Sequence, residues 1–529
     1  MSSVMPPGPA LAAALRATTL EVARATGRYD AVVVGAGAAG SMAALLLTEA
    51  GLRVLVLDAG MVRSPIRSFS RRLSRGLTRR LLGTAALAAL DRRRQWIQTQ
   101  CYAHPFAPDA FVDDLDCPYV TPADRPFVWL RVRGLGGRLH IPAHGRQYYR
   151  LGPDDLAPAD GLSPPWPLQS GELDPWYALA EHRLGLAGRR DNVPWLPDSE
   201  LSIVLEPTPI EAALQRSISA RWAGARPLLG RFAVPPDFLE AAAQTGRLLV
   251  RRGAIAREIE VDGSGRVRGV VWIDQQSGTE QRACAPLVFL CASALESTRL
   301  LLLSRSPRSP AGLGATSGAL GRYLMDHIRL VANGKGPPLP PEPPPEQGRC
   351  LYLPRFDARD LSMPGQSRGF GVQVSEVFAD AGASDFSAAS YGEMLPRPEN
   401  SVMLDPKLRD AWGIPVLRID CRYSPTDLLR AREQSTALRE LADAVGVTLT
   451  EIAEAPDPPG IANHECGTAR MGDDPAKSVL DPYNECWDAR GLYVTDGACF
   501  PSQGTQNPTL TILALTARAC DHAFRSARG

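Results

Sequence analysis

The fold is decided by residues 29–58, which read YDAVVVGAGAAGSMAALLLTEAGLRVLVLD. The apolar run that begins at Tyr29 predicts a buried strand, and residues 41–51 predict a helix. Between them lies the glycine pattern GxGxxG, and a second apolar run ends in Asp58. Strand, glycine turn, helix and strand in this order, with an acid about 20 residues after the turn, predict a Rossmann-like unit that binds a dinucleotide.

Each glycine of this turn has its own physical reason. Gly35 permits the tight turn, Gly37 lets a diphosphate approach the backbone, and Gly40 lets helix and strand pack closely. The N-terminus of the helix would face the diphosphate, and Asp58 would accept hydrogen bonds from ribose hydroxyls. A turn that only packs and binds nothing is the alternative, which the complete unit disfavours. The predicted cofactor-binding residues of this unit are Gly35, Gly37, Ala38, Ala39, Gly40 and Asp58.

The composition is that of an ordinary globular protein with two domains. A chain of 529 residues exceeds one typical domain, and a net charge of +1 gives no global field that would attract nucleic acid. The ten cysteines never occur as CxxC or CxxCH, which argues against structural zinc and covalent haem, so no metal site is predicted. No apolar run approaches the ~20 residues of a membrane span, and no signal peptide is recognised, so we expect a cytoplasmic protein.

A second informative stretch lies near the other end, at residues 463–525. His464 stands in the polar, glycine-rich turn NHECGTARMG, and a short apolar strand at 491–494 is closed by an Asp-Gly pair. The segment QNPT at 506–509 then precedes an apolar-periodic run that predicts a helix. A polar loop just before a helix can present a side chain and free backbone N–H groups to a cofactor.

The segment 63–94 is strongly basic, with no acidic residue before Asp91. It predicts either an amphipathic helix at a membrane surface or acidic partner, or a solvated arm over the cofactor site. We favour the arm, because two glycines within the segment weaken a long helix.

The middle of the chain carries further turns. Strand-like residues 127–132 precede a glycine turn at 134–137, which would bring backbone amides against a cofactor. The apolar run 287–290 predicts a buried strand that enters a turn at Ala292 and then a helix. The Pro-rich residues 332–349 predict an extended loop.

Taken together, these motifs resemble the glucose–methanol–choline (GMC) family of FAD oxidoreductases over residues 29–525. VVVGAGAAG with its strand-end acid resembles the family's FAD fingerprint, and GRYLMDH at 321–327 resembles its GRxLxDH element. Residues 292–304 resemble the second family signature. The most specific pieces are HECGTARMG, LYVTDGACFP and QNPTLTILALTAR. Residues 392–400 and 410–420 are similar to the bacterial branch that oxidises sugars and glucosides.

The resemblance implies an α/β fold, with a Rossmann-like FAD-binding domain and a discontinuous substrate domain built on a mostly antiparallel sheet. The chain would pass between the two domains several times. The expected FAD-binding parts are residues 29–160, 232–335 and 460–529, and the expected substrate-domain parts are residues 161–231 and 336–459.

The resemblance also implies FAD as cofactor and oxidation of an alcohol group of a sugar, glycoside or related polyol. His464 would be the general base that removes the hydroxyl proton while the hydride passes to flavin N5, and Asn507 would hold the substrate oxygen. The residues expected to contact FAD outside the first turn are Gly136, Gly137, Ile255, Ala292, Asp496, Gly497, Asn507, Pro508 and Thr509. FAD is expected to be bound non-covalently, because a hydrogen-bonded loop histidine is the commoner role for His140 and His144.

Three alternatives stand beside a sugar dehydrogenase. One is a GMC-type oxidase or tailoring enzyme that acts on a non-sugar alcohol with oxygen as acceptor. A second is a flavin monooxygenase or disulfide reductase, but the sequence has neither a second dinucleotide fingerprint nor a CxxxxC pair. A third is a flavin- or carbohydrate-binding protein without catalysis, which would lack the pair His464 and Asn507.

The missing second fingerprint also disfavours NAD(P)+ as electron acceptor. We therefore expect an electron-acceptor protein or a quinone, with the basic residues 63–94 as a candidate docking surface.

The sequence departs from the family pattern at three places. RLHIP at 138–142 stands where small hydroxyl residues usually follow the second glycine turn, so the loop beside the flavin is expected to be reshaped. Glu296 and Arg305 stand where the second signature has smaller residues. Asp58 replaces the commoner Glu, which shortens its reach but keeps its chemistry.

Overall fold

The computed structural model describes residues 29–60, 93–142, 146–234, 236–339, 349–356, 368–378 and 383–527. His144 and nearly all of the basic residues 63–94 therefore lie outside the described residues.

Helices and strands are numbered here in chain order. The helices are α1 (Ala38–Glu49), α2 (Pro153–Leu156), α3 (Asp174–Leu184), α4 (Pro209–Arg221), α5 (Phe238–Gln244), α6 (Ala294–Leu303), α7 (Pro425–Ala444) and α8 (Thr509–Ser526). The strands are β1 (Ala31–Val34), β2 (Val54–Asp58), β3 (Ala187–Gly188), β4 (Ile203–Val204), β5 (Leu228–Leu229), β6 (Leu248–Arg252), β7 (Ala254–Val261), β8 (Val267–Asp274), β9 (Glu280–Cys284), β10 (Leu287–Leu290), β11 (Ile328–Gly336), β12 (Leu351–Leu353), β13 (Phe370–Phe378), β14 (Ser384–Gly392), β15 (Ser401–Arg409), β16 (Pro415–Asp420), β17 (Thr448–Ile452), β18 (Glu485–Cys486) and β19 (Ala489–Val494).

A six-stranded sheet carries the predicted dinucleotide-binding unit. Its strand order is β18-β19-β10-β1-β2-β6, and every pair in it is parallel except β18 with β19. Val32 of β1 lies between Val288 of β10 and Leu55 of β2, and all three side chains are buried. Strands inside a parallel sheet are covered on both faces, which explains why these runs are apolar at nearly every position.

Helices complete this layer. α8 packs against α1 and α3, and α1 also packs against α5. α1 starts directly after the glycine turn and α8 directly after Pro508, so two helix N-termini belong to the same layer. The expected α/β class with a Rossmann-like domain is confirmed.

The second large sheet is antiparallel, with the order β17-β11-β14-β13-β12-β5. On one face, Val372, Val374 and Ala388 are buried in a cluster with Leu438 of α7. Because side chains alternate along a strand, Gln373 of β13 points to the opposite face, which is the face that meets the parallel-sheet layer. One side of this sheet thus forms a core, and the other side contributes to the site described below.

Residues 127–132 were expected to form a strand, and they do not. Val132 makes only an isolated bridge with Phe111. Side chains and loop backbone take the place of a neighbouring strand. Gln98 accepts from the N–H of Arg131 at 2.7 Å and donates to the carbonyl of Trp129 at 3.2 Å, and the N–H of Val112 donates to the carbonyl of Arg131 at 3.1 Å. A buried extended segment needs hydrogen-bond partners, but those partners need not be another strand.

The Pro-rich segment also differs from its prediction in part. Its first residues belong to β11, which pairs with β14, and residues 340–348 lie outside the described residues. β11 lies in the antiparallel sheet, although residues up to 335 were expected in an FAD-binding part. The domain boundaries stay a prediction.

No helix among the described residues is long and apolar enough to span a membrane.

Candidate active site

A cleft of about 1820 Å³, including its open mouth, lies at the carboxyl ends of β1, β2 and β10. Ligands of open α/β sheets bind at this edge. The predicted site residues that line it are Gly35, Gly37, Ala38, Ala39, Asp58, Gly137, Ile255, Ala292, His464, Asp496, Gly497, Asn507, Pro508 and Thr509. Gly40 and Gly136, also predicted, do not line it.

The three glycines of the first turn have different surroundings. A Cβ on Gly40 would lie 1.9 Å from the carbonyl oxygen of Gly35, and a Cβ on Gly35 would lie 2.4 Å from that of Cys291. A Cβ on Gly37 would meet nothing within 4 Å. Gly35 and Gly40 are therefore required for packing, whereas Gly37 leaves open space at the N-terminus of α1. This space fits the diphosphate of FAD, which needs close access to backbone N–H groups.

Asp58 ends β2 beside this turn. Its carboxylate accepts hydrogen bonds from the N–H groups of Gly60 at 2.8 Å and Ala36 at 3.2 Å. Burial raises the pKa of Asp58, while these two N–H groups and the charges of Arg252 and Arg133 oppose the rise. A carboxylate has about four lone-pair sites, so the fixed Asp58 retains acceptor capacity for ribose hydroxyls.

The second glycine turn packs on the first. The N–H of Gly136 donates to the carbonyl of Ala36 at 2.8 Å, and a Cβ on Gly137 would lie 2.9 Å from the Cα of Gly37. Gly136 has φ of 78° and Gly137 has φ of 54°, which favours glycine at both positions. Gly136 thus holds the two turns together, and Gly137 forms part of the cleft wall.

The C-terminal segment closes the cleft from the other side. The Ser297 hydroxyl donates to Asp496 and accepts from the N–H of Ala292, so the turns after β10 and β19 are joined. Burial raises the pKa of Asp496 to about 6. α8 begins after Pro508 without a side-chain cap, so its first N–H groups are available to a ligand.

His464 and Asn507 lie side by side in the cleft. Asn507 Nδ2 is 3.2 Å from His464 Nε2, and Asn507 Oδ1 accepts from Gln373 Nε2 at 2.9 Å. The Tyr391 ring lies 5.6 Å from the His464 ring. Gln373 and Tyr391 belong to β13 and β14, so the antiparallel sheet supplies neutral polar groups to this pair.

His464 also has a buried histidine behind it. His464 Nδ1 is 2.8 Å from His327 Nδ1, and His327 Nε2 is 3.0 Å from the carbonyl oxygen of Gly504. Burial lowers the pKa of His327 to about 4. Asp326 fixes the loop, because its carboxylate accepts from the N–H groups of His464 and Gly460.

Arg138 gives a structural reason for the departure from the family pattern at residues 138–142, after the second glycine turn. It donates to the carbonyl of Asn463 at 2.9 Å and to both carboxylate oxygens of Glu465 at 3.1 Å. The residues on both sides of His464 are therefore tied to the glycine turn by one guanidinium group.

Several charged residues of the cleft were missed from the sequence. Arg133 lies 3.8 Å and Arg299 3.3 Å from the carboxylate of Glu296. Burial acts to raise the pKa of Glu296, but these arginines and Arg131 hold it below its ordinary value. The sequence does contain an indication of this charged cluster, because two arginines flank Val132 just before the second glycine turn. The charged residues that line the cleft and were not predicted to contact the cofactor are Arg131, Arg133, Arg138, Arg146, Glu296, Arg299 and Glu465.

Among the described residues, His464 is the histidine that lines the cleft. His140 is exposed on the loop and packs over Gly136.

Residues 396–516 match the model for "GMC oxidoreductase", and residues 33–67 match that for an NAD(P)-binding Rossmann-like domain. A 6'''-hydroxyparomomycin C oxidase from Streptomyces lividus is 28% identical over 550 residues, which cover 96% of this chain and 92% of the relative. The large subunit of fructose dehydrogenase from Gluconobacter japonicus is 26% identical, covering 93% of this chain and 97% of the subunit.

The fold is shared with solved structures. Pyridoxine 4-oxidase from Mesorbium loti superposes with a TM-score of 0.62 at 21% identity, covering 93% of this chain and 98% of that one.

Proposed function

The chain belongs to the glucose–methanol–choline (GMC) family of FAD-dependent oxidoreductases that act on CH–OH groups, and from that premise we propose that it oxidises a hydroxyl group of a sugar or glycoside with His464 as general base. The observation that carries this proposal is the pair at the cleft, where His464 Nε2 and Asn507 Nδ2 lie 3.2 Å apart. A substrate hydroxyl in contact with both atoms would meet a proton acceptor and a hydrogen-bond donor together.

The two side chains have complementary tasks. His464 takes the hydroxyl proton as the C–H bond breaks, and Asn507 donates to the oxygen while negative charge develops on it. FAD, when bound, accepts the hydride at N5. The residues that would hold FAD are those of the two glycine turns, Asp58 and the segment 507–509.

The substrate class is supported by the relatives and by the neighbours of the pair. One relative is named for an aminoglycoside and another for fructose, both of which carry many hydroxyl groups. Gln373 and Tyr391 place neutral hydrogen-bonding groups beside the pair, and such groups suit the hydroxyl groups of a polyhydroxylated molecule.

The experiment is anaerobic titration of the purified, FAD-loaded protein with glucose, fructose, methyl glucoside, paromamine, benzyl alcohol and NADH. A sugar or glycoside is expected to bleach the flavin absorbance stoichiometrically. Bleaching by benzyl alcohol alone would refute the sugar class, and bleaching by NADH alone would refute alcohol oxidation by this site.

We propose in addition that a protein or a quinone accepts the electrons. The support is the relative that is a subunit of a dehydrogenase. An oxidase is the second candidate, because the relative from Streptomyces lividus carries that name. Reoxidation of the sugar-reduced flavin by air and by a soluble quinone, at low and high salt, separates the two. Reoxidation by oxygen as fast as reoxidation by the quinone would refute the acceptor proposal.

The expected cytoplasmic location stays a prediction.

A further inference from the structure

His327 lies behind His464 and lacks an assigned role in the reaction. Its side chain is 1% exposed, and its two ring nitrogens face the Gly504 carbonyl and His464 Nδ1. We propose that His327 and Gln373 are positioning residues at opposite ends of one hydrogen-bond chain. His327 fixes which nitrogen of His464 carries the proton. Gln373 fixes which atom of the Asn507 amide, the oxygen or the nitrogen, faces His464. This inference rests on the proposed role of His464.

The direction of the chain follows from its first member. A carbonyl oxygen only accepts, so His327 Nε2 must carry a proton and donate to Gly504. In a neutral imidazole the other nitrogen is then an acceptor, so His327 Nδ1 has a lone pair. Burial favours this neutral form of His327. His464 Nδ1, 2.8 Å away, must therefore be the donor.

The consequence at His464 is a defined tautomer. With the proton of neutral His464 on Nδ1, the lone pair lies on Nε2, which faces Asn507 in the cleft. A general base needs its lone pair on the nitrogen that meets the substrate, so His327 selects the reactive tautomer. In the opposite tautomer Nε2 would carry a proton and would not remove one from the substrate.

The other end of the chain orients the amide. Gln373 Nε2 is a donor only, and it lies 2.9 Å from Asn507 Oδ1. The Asn507 oxygen is thereby turned toward the antiparallel sheet, and Nδ2 is turned toward His464. The donor rather than the acceptor of Asn507 then faces the site of the substrate oxygen. Both catalytic side chains receive their orientation from residues outside the C-terminal segment.

The residue behind the base His464 is His327, a neutral imidazole. In the arrangement Ser-His-Asp, a carboxylate holds the base and stabilises the imidazolium that forms. His327 offers one acceptor and no negative charge, so it sets the tautomer and the ring angle. The two histidine rings lie at 86° to each other, and their Nδ1 atoms are the atoms that meet, at 2.8 Å.

The first test needs no substrate. Holoenzyme with 15N-labelled histidine is studied by NMR, and the His464 ring signals are identified by their loss in H464A. The proposal expects a protonated Nδ1 and an unprotonated Nε2 in the wild type, and a mixture of tautomers in H327L. A protonated Nε2 in the wild type, or an unchanged tautomer in H327L, would overturn the proposal whatever the substrate is.

The second test measures flavin reduction in the anaerobic stopped-flow, with the sugar of the panel that bleaches wild type fastest. H327L is expected to lower the maximal reduction rate by roughly 10²-fold, with little change in the substrate concentration that gives half of that rate. Such a loss stays within the ~10²–10⁴-fold contribution of a general base. H327Q should recover part of the rate, because its amide again presents one acceptor and one donor. H327L/H464A should be no slower than H464A.

His104 provides the matched control. It is 3% exposed, lies 3.1 Å from Gln95 Oε1 and does not line the cleft. H104L therefore removes a buried histidine of similar environment and should keep the wild-type rate. Equal losses in H327L, H327Q and H104L would assign His327 a purely structural role. Gln373→Leu should slow flavin reduction, whereas Gln373→Leu in an N507A background should add nothing.

Discussion

Substitution of Gly37 by alanine is expected to weaken FAD binding without lowering the stability of the apoprotein. The φ of −76° and ψ of −157° at Gly37 are accessible to alanine, and an added Cβ would meet no atom within 4 Å. G37A should therefore leave the apoprotein as stable as wild type, or more stable by about 0.4–1 kcal/mol through the lower entropy of the unfolded chain.

The same methyl group fills the space where the diphosphate of FAD approaches the N-terminus of α1. Displacement of the diphosphate removes one or two hydrogen bonds to a charged group, each worth about 1.5–3 kcal/mol. A loss of about 3 kcal/mol corresponds to roughly 10²-fold weaker binding, because 1.4 kcal/mol is a factor of ten.

Two measurements are required on deflavinated protein: thermal unfolding, and titration with FAD followed by quenching of flavin fluorescence. Gly263→Ala is the matched control, since its Cβ also meets nothing within 4 Å but it lies in the turn between β7 and β8. Gly40→Ala should instead destabilise the apoprotein, because its Cβ lies 1.9 Å from a carbonyl oxygen. If G37A binds FAD as tightly as wild type, Gly37 does not face the diphosphate and the reasoning is refuted.

Three further predictions follow from the site. H464A should keep FAD but lower the rate of flavin reduction by ~10²–10⁴-fold, whereas the exposed H140A should change neither; a near-normal rate in H464A would remove it from the mechanism. Acid precipitation of the holoenzyme should release the flavin into the supernatant, and a yellow pellet would contradict non-covalent binding. Because burial lowers the pKa of His327 to about 4, the unfolded chain takes up its proton first, at about pH 6.5. The contribution of His327 to stability should therefore fall as the pH drops from about 6.5 to about 4, by up to about 3 kcal/mol, and the difference between wild type and H327Q in urea unfolding measures that contribution.

The site residues that could be predicted from the sequence are those that lie in motifs contained within one short segment. The first turn combines a glycine pattern with its flanking strands, and the cleft is lined by Gly35, Gly37 and Asp58 as expected. His464 and Asn507 were identified from motifs within one C-terminal segment, and the structure brings them to 3.2 Å.

The parts that were missed depend on contacts between distant segments. His327 lay in a recognised motif, but nothing in that motif states that its ring meets His464. Gln373 lies in a strand, where the alternation of side chains shows which residues share a face of the sheet. That alternation does not show which other part of the protein packs against the face. The role of Arg138 was likewise unpredictable, because the carbonyl and carboxylate that it binds belong to the C-terminal segment.

The position of β1 in its sheet has a consequence for biosynthesis. β1 is made well before its neighbour β10 and before the next strand, β19, which follow far later in the chain. At ~5–20 residues per second, a chain of 529 residues takes roughly half a minute to two minutes to synthesise. Until β10 has been made, one edge of β1 lacks its native partner, and unpaired strand edges promote aggregation. The cleft is complete only when Asn507 and α8 have been made.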